Sequence, residues 1–191
     1  IEWIRAQLSK PYEAIWFELN SVPVMNIDPK PKTAFASVQK TRSFHPPTND
    51  IHFLLSQLSK HIEDACRKIR HYNLVAKKVS FFFKTKDFVF HTFSLSLSAA
   101  SQSPEVIIAL AYKHSAEMWQ KGILYRTTGV TLHELCPASV AQNDLFGGSE
   151  REKKFEAIHK NIDLLEDKWG KRLVHLGSTQ QALQGDTQGT D

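Results

Sequence analysis

The 191 residues are enough for one large or two small domains with a real hydrophobic core, and no apolar run approaches the ~20 residues of a membrane span, so an integral membrane protein is not expected. Cys66 and Cys136 stand far apart and outside any C-x-x-C pair, which argues against a disulfide scaffold or a structural zinc; the opening IEWIRAQLSK has no signal-peptide pattern, and a reducing cytoplasm is the expected location. The net charge of +4 hides an asymmetry: between Lys30 and Lys86 twelve Lys/Arg face three acids, leaving twelve against seventeen elsewhere, so a basic block of the kind that binds anions, nucleic-acid backbone above all, sits in a mildly acidic chain.

In chain order, residues 1–20 read as one helix or two short ones around Pro11, with Ile15, Trp16 and Leu19 on one stripe. Residues 21–32 hold three prolines, which remove backbone donors and favour extended geometry, so this is a linker between domains. Residues 34–44 are rich in β-formers and read as a strand ended by His45-Pro46-Pro47, with Thr48, Asn49 and Asp50 as candidate helix N-caps. Ile51, Leu54, Leu55, Leu58, Ile62, Ala65, Cys66 and Ile69 then keep helical spacing over about five turns. Two strands follow. In residues 77–86, Val79, Phe81 and Phe83 point opposite to Ser80, Phe82, Lys84 and Lys86; in residues 88–97, Phe93, Leu95 and Leu97 point opposite to Phe88, Phe90, Thr92, Ser94 and Ser96. A helix over 103–121, opened by Pro104 and stopped by Gly122, and a strand over 124–135 complete the domain.

The resulting fold class is α+β, with the β-α-β-β-α-β order of a split, ferredoxin-like unit: four strands, two helices on one face, the other face open. That open face is expected to carry Ser80, Lys84, Lys86, Thr92, Ser94 and Thr131, hydroxyls and lysines that suit phosphate contact without reading bases.

Ser37-Val-Gln-Lys-Thr-Arg-Ser-Phe44, Ala65-Cys-Arg-Lys-Ile-Arg70, Asn73-Leu74, Lys78-Val79, Lys84-Thr-Lys-Asp-Phe88, Thr92, Ser94-Leu95 and Gly129-Val130-Thr131, in this order over about one hundred residues, resemble the little-finger domain of Y-family translesion DNA polymerases; the bacterial DinB- and UmuC-like members, of the DNA polymerase IV type, are the nearest pattern. Residues 1–20 and the proline linker then resemble the end of the thumb and its tether, and residues 33–137 the little finger. The resemblance implies a non-sequence-specific grip on primer-template DNA, with Ser37, Gln39, Lys40, Arg42, Lys84, Lys86, Thr92, Ser94 and Thr131 as contacts. Gln39 departs from the family, which usually has glycine there, where backbone approaches phosphate.

In the loop of residues 138–150, Gln142-Asn143-Asp144-Leu145-Phe146 resembles the sliding-clamp-binding peptide, with Gln142 fixing register, Asp144 beside it, and Leu145 and Phe146 filling a hydrophobic pocket; Asn143 stands where leucine is usual. Residues 151–177 read as an amphipathic helix to Trp169 plus a short strand at 173–176, similar to an extension of some bacterial members, and 178–191 as a disordered Gln/Gly/Thr-rich tail. The family's palm carboxylates, which hold Mg2+, are missing from the sequence. This chain should therefore be inactive alone and need no cofactor of its own, while its parent would be a Mg2+-dependent DNA-directed DNA polymerase at the nucleoid, working with DNA and a sliding clamp and without a membrane. The rival is an RRM-like single-stranded RNA module with Phe82, Phe88 and Phe90 as stacking rings.

Overall fold

The computed structural model describes residues 1–24, 35–140 and 149–187, and the side chains of 149–154 and 185–187 are outside the description. The chain divides into two units, Ile1–Thr33 and Ala34–Asp191. In the first, α1 (Glu2–Gln7) and α2 (Lys10–Leu19) are separate helices, with Pro11 in the first turn of α2, where a missing N–H costs no helical hydrogen bond. Arg5 Nε donates to Glu13 at 2.9 Å, and no residue of either helix is buried. The linker expected at 21–32 falls largely outside the described residues.

The second unit begins with β1 (Ser37–Thr48), α3 (Ile51–His71), β2 (Leu74–Thr85), β3 (Phe90–Ser101), α4 (Pro104–Lys113) and β4 (Tyr125–Pro137), the expected β-α-β-β-α-β order. The sheet order is β1-β4-β2-β3 with every pair antiparallel, so β4 lies between β1 and β2, and β2 lies between β3 and β4. Asp50 caps α3 by accepting from His52 N at 2.9 Å, and the buried stripe Leu54, Leu58, Ile62, Ala65 and Ile69 packs on Val38, Val79, Phe81, Phe83, Val130 and Leu132 of the sheet. α4 adds Ile107, Ile108 and Ala111 to the same side of the sheet. Burying four-strand and two-helix apolar faces against each other removes enough non-polar surface from water to hold the domain.

Two element bounds differ from expectation for visible reasons. β1 runs past His45-Pro46-Pro47 because it is an edge strand: pairing with β4 is regular to Ser43–Thr127, resumes at Thr48–Tyr125, and the prolines fall in the irregularity between. α4 stops at Lys113 instead of continuing to 121, since the chain turns there through Ser115–Glu117 to bury Met118. The Tyr125 hydroxyl locks that turn by accepting from Gln120 N at 2.9 Å and donating to Met118 O at 3.1 Å.

Beyond the sheet, α5 (Ser149–Trp169) ends at Gly170, whose φ of 66° favours glycine. Residues 172–176 form no strand: Leu176 N donates to Glu63 Oε1 at 2.8 Å, across to α3 instead of to a strand partner. The expected disorder from residue 178 is also overturned, because a turn at Gly177–Thr179 leads into α6 (Gln180–Thr187), where Ala182 is fully buried and its N–H donates to Ser56 Oγ at 2.9 Å. This extension covers the side of α3 turned away from the sheet, which explains why Ser56, Gln57, Ser59, His61 and Glu63 are buried polar residues.

Candidate nucleic-acid interface

Strand alternation and register fix which side chains share the open face. Three cross-strand rows define it. Gln39, Thr131, Ser80 and Ser94 form one; Thr41, Gly129, Phe82 and Thr92 the next; Ser43, Thr127, Lys84 and Phe90 the third. Ser37, His133, Lys78 and Ser96 extend the same face at its other end. Hydroxyls link these rows: Ser94 Oγ donates to Ser80 Oγ at 2.8 Å, Ser80 Oγ lies 2.9 Å from His133 Nε2, and Ser43 Oγ lies 2.8 Å from Thr127 Oγ1. The result is a band of small polar groups with Gln39, Thr92, Ser94 and Ser96 exposed on the outer strands.

The middle of the band depends on one glycine. A Cβ built on Gly129 would lie 2.3 Å from the Phe82 ring, so only a residue without a side chain lets Phe82 lie across β4. Phe82 is thereby buried although it points away from the helices, and it meets Phe90 with ring centroids 5.4 Å apart. Lys84 Nζ sits 4.7 Å from the Phe88 centroid and 4.8 Å from that of Phe90.

Most of the expected contact residues come together: Ser37, Gln39, Lys84, Thr92, Ser94 and Thr131 share the open face. Lys86 lies exposed just beyond β2, in the turn to β3, with its N–H donating to Leu124 O at 2.8 Å. Lys40 and Arg42 are a correction. Alternation turns them to the helix side of β1, since their neighbours Gln39 and Thr41 occupy the open side, and Lys40 lines a groove of about 860 Å³ with Arg67, Lys68 and Arg70 of α3. Thr41, Ser43, Lys78, Thr127 and His133 belong to the open face and were missed. For the β1 pair the signal was present: counting by two from Ser37 selects 39, 41 and 43, not 40 and 42. The clamp-like residues Gln142, Asp144, Leu145 and Phe146 lie outside the described residues.

Nothing in the site has the make-up of a reaction centre. Cys66 is fully buried and its thiol is pushed up to about 12 by burial, so no thiolate forms at neutral pH. Among the described residues no three His, Cys, Asp or Glu side chains come together to hold a metal ion, and no helix is long and apolar enough to cross a membrane. The geometry therefore offers binding: donors on a flat face, flanked by lysines.

A family model described as the impB/mucB/samB family C-terminal domain matches residues 36–145, more than half of the chain. The chain belongs to this family. Protein ImpB of Salmonella typhimurium is 26% identical over 169 residues, covering 85% of this chain and 40% of that protein; DNA polymerase IV of Moorella thermoacetica is 28% identical over 113 residues, covering 59% and 28%. The chain thus spans well under half the length of these two relatives. Among solved structures, DinB from Sulfolobus solfataricus is similar with a TM-score of 0.45 and 18% identity over 51% of this chain and 28% of that one. The little finger of PolIV in complex with the beta-clamp processivity factor gives a TM-score of 0.41 at 18% identity, over 59% of this chain and 98% of that one. Within the impB/mucB/samB family, residues 36–145 run from the start of β1 through all four strands, so the open face lies wholly inside the family domain, whereas α5 and α6 lie outside it. The sequence resemblance to the C-terminal part of a translesion polymerase agrees with this assignment.

Proposed function

We propose that this chain is the DNA-holding part of a translesion polymerase, gripping primer-template duplex through the open face of its sheet. The observation that carries the reading is the three-row band of hydroxyl and amide donors with Lys78, Lys84 and Lys86 on or beside it. Such donors reach phosphate oxygens without requiring any base shape, so a damaged base in the duplex leaves the grip unchanged. The cationic contribution makes the affinity fall with salt. Gln39, where the family usually has glycine, donates through its side-chain amide in place of close backbone approach.

The Gln142, Asp144, Leu145 and Phe146 segment tethers the polymerase to its sliding clamp, raising its effective concentration at the primer end. The parent protein carries out Mg2+-dependent nucleotidyl transfer on a palm that this sequence does not contain.

Fluorescence anisotropy of the chain with labelled primer-template DNA at a series of salt concentrations tests the grip. Binding that is indifferent to sequence and falls steeply with salt supports it; absence of duplex binding at low salt overturns it. Replacing Leu145 and Phe146 with alanine is expected to abolish clamp binding and leave duplex affinity intact. An equal fall in both would show that the two sites are not separate.

A further inference from the structure

The turn between β2 and β3 holds a feature that a duplex grip does not need. Thr85 closes it three times over: its N–H donates to Val89 O at 2.9 Å, its carbonyl accepts from Phe88 N at 3.1 Å, and its hydroxyl accepts from Val89 N at 3.1 Å. This closure holds Phe88 at φ 69°, the left-handed region that glycine occupies freely and a bulky aromatic residue rarely does. A phenylalanine there works against the turn, and backbone strain of this kind is characteristic of binding sites. Its side chain is not recovered by the core, since Phe88 is 60% exposed, beside Val89 and Phe90 at 56% each.

Cations are arranged around these rings. Lys84 Nζ lies within 4.8 Å of the Phe88 and Phe90 centroids, and Arg126 Cζ lies 4.7 Å from that of Phe88. Arg126 reaches this place because it is the extra residue of a bulge: Lys84 faces Thr127 and Thr85 faces Tyr125, which leaves Arg126 between them without a partner in the ladder. Among the described residues neither Lys84 nor Arg126 has a carboxylate at ion-pair distance. Phe90, at one end of the row Ser43, Thr127 and Lys84, makes the cluster continuous with the hydroxyl band. Exposed aromatic rings beside unpaired cations, at the margin of a backbone-binding surface, are the composition that holds unpaired bases: a ring accepts the face of any base, and the cations meet the phosphates on either side.

We propose that Phe88 and Phe90, with Lys84 and Arg126, form a stacking site for unpaired bases of single-stranded DNA adjoining the gripped duplex. The inference deepens the proposed function and rests on it for the adjoining duplex. The test compares the full chain on three DNAs: blunt duplex, the same duplex with a 5′ overhang carrying 2-aminopurine, and oligo-dT alone. The wild type is expected to bind the overhang DNA roughly tenfold more tightly than the blunt one and to change the 2-aminopurine fluorescence, as stacking of one or two bases would produce. Phe88→Gly is the informative variant, since glycine relieves the backbone strain and should leave thermal stability equal or higher. With Phe88→Gly and with Phe90→Ala, overhang affinity should fall to the blunt value, the fluorescence change should vanish, and blunt-duplex affinity should stay within about twofold. Equal losses on blunt and overhang DNA, or no loss on either, overturn the stacking site. Tighter binding of single-stranded RNA than of oligo-dT overturns its assignment to DNA. A wild type that binds oligo-dT through Phe88 but ignores duplex would refute the grip and leave the stacking site standing; one that binds no DNA would refute both.

Discussion

The two sides of the sheet-bearing unit treat positive charge in opposite ways. Behind α3, the cations of the basic block are neutralised by the extension: Arg70 makes a two-pronged bond to Asp163 at 2.8 and 2.9 Å, and Arg67 Nε pairs with Glu166 at 2.9 Å. The extension's own Arg172 reaches back to Asp64 at 2.8 Å, and His159 lies 2.7 Å from Glu105 on α4. On the open face, Lys84 meets only aromatic rings. Burial works against the charge on Arg70, and the Asp163 carboxylate more than offsets it, holding the guanidinium above its usual range. A cation count along the sequence therefore overstates the binding surface, since part of it holds the fold together.

The largest expected effect breaks the front side alone. Replacing Lys78, Lys84 and Arg126 together with alanine should weaken duplex binding by about a hundredfold at moderate salt and lower the slope of log affinity against log salt by roughly two to three, one phosphate contact at most per cation. Arg67→Ala, on the opposite side, should leave both quantities unchanged in the same anisotropy titration. Equal effects from front and back would end the distinction. Next in size is Arg70→Ala, which leaves the partly buried Asp163 without its partner: a loss of about 2 kcal/mol in urea unfolding, with duplex affinity retained, is expected. Gly129→Ala should cost about 1–3 kcal/mol, because the new methyl collides with Phe82, and should also weaken DNA binding by lifting that ring out of the band. It is the one substitution here that couples the stability of the sheet to its surface.

The same contrast explains how far the sequence could be read. Order and type of elements were legible because alternation in residues 79–83 and helical spacing from Ile51 to Ile69 are local, strongly patterned signals. Strand order was not, since nothing local in β4 states that it pairs with both β1 and β2. Thr41, Ser43 and Thr127 were overlooked because charge, not alternation, guided the choice in β1, and charge selected Lys40 and Arg42 on the wrong side. Cis-neighbour logic fails altogether for the extension. Composition marks residues 178–191 as a polar tail, yet Ala182 finds Ser56 from 126 residues away, and a single small apolar residue docking on a distant helix leaves no periodic trace.

The smallest expected effect concerns how firmly that extension is held as pH falls. His175 sits near Arg172, Lys60, Asp64 and Glu166; burial lowers its pKa below the usual imidazole value, and the Arg172 and Lys60 charges lower it further. Its folded form resists a proton that the unfolded chain accepts near pH 6.5, so the stability it contributes is present above that pH and is lost as the solution is acidified through 6.5 toward the lower folded value. Glu63 acts with the opposite sign. Burial raises its pKa despite Arg172 and the Leu176 N–H, so the folded form takes up its proton first and gains relative stability as pH falls toward 4.5. The two windows separate the contributions: between pH 7.5 and 6 the histidine dominates, and nearer 5 the glutamate offsets it. Calorimetric melting should therefore fall by about one to two degrees between pH 7.5 and 6 for the wild type and by less for His175→Asn, while Glu63→Gln should keep the fall at its wild-type size. A His175→Asn curve that follows the wild type throughout would show that the extension is held by Arg70, Arg172 and the α3 contacts without any contribution from the imidazole.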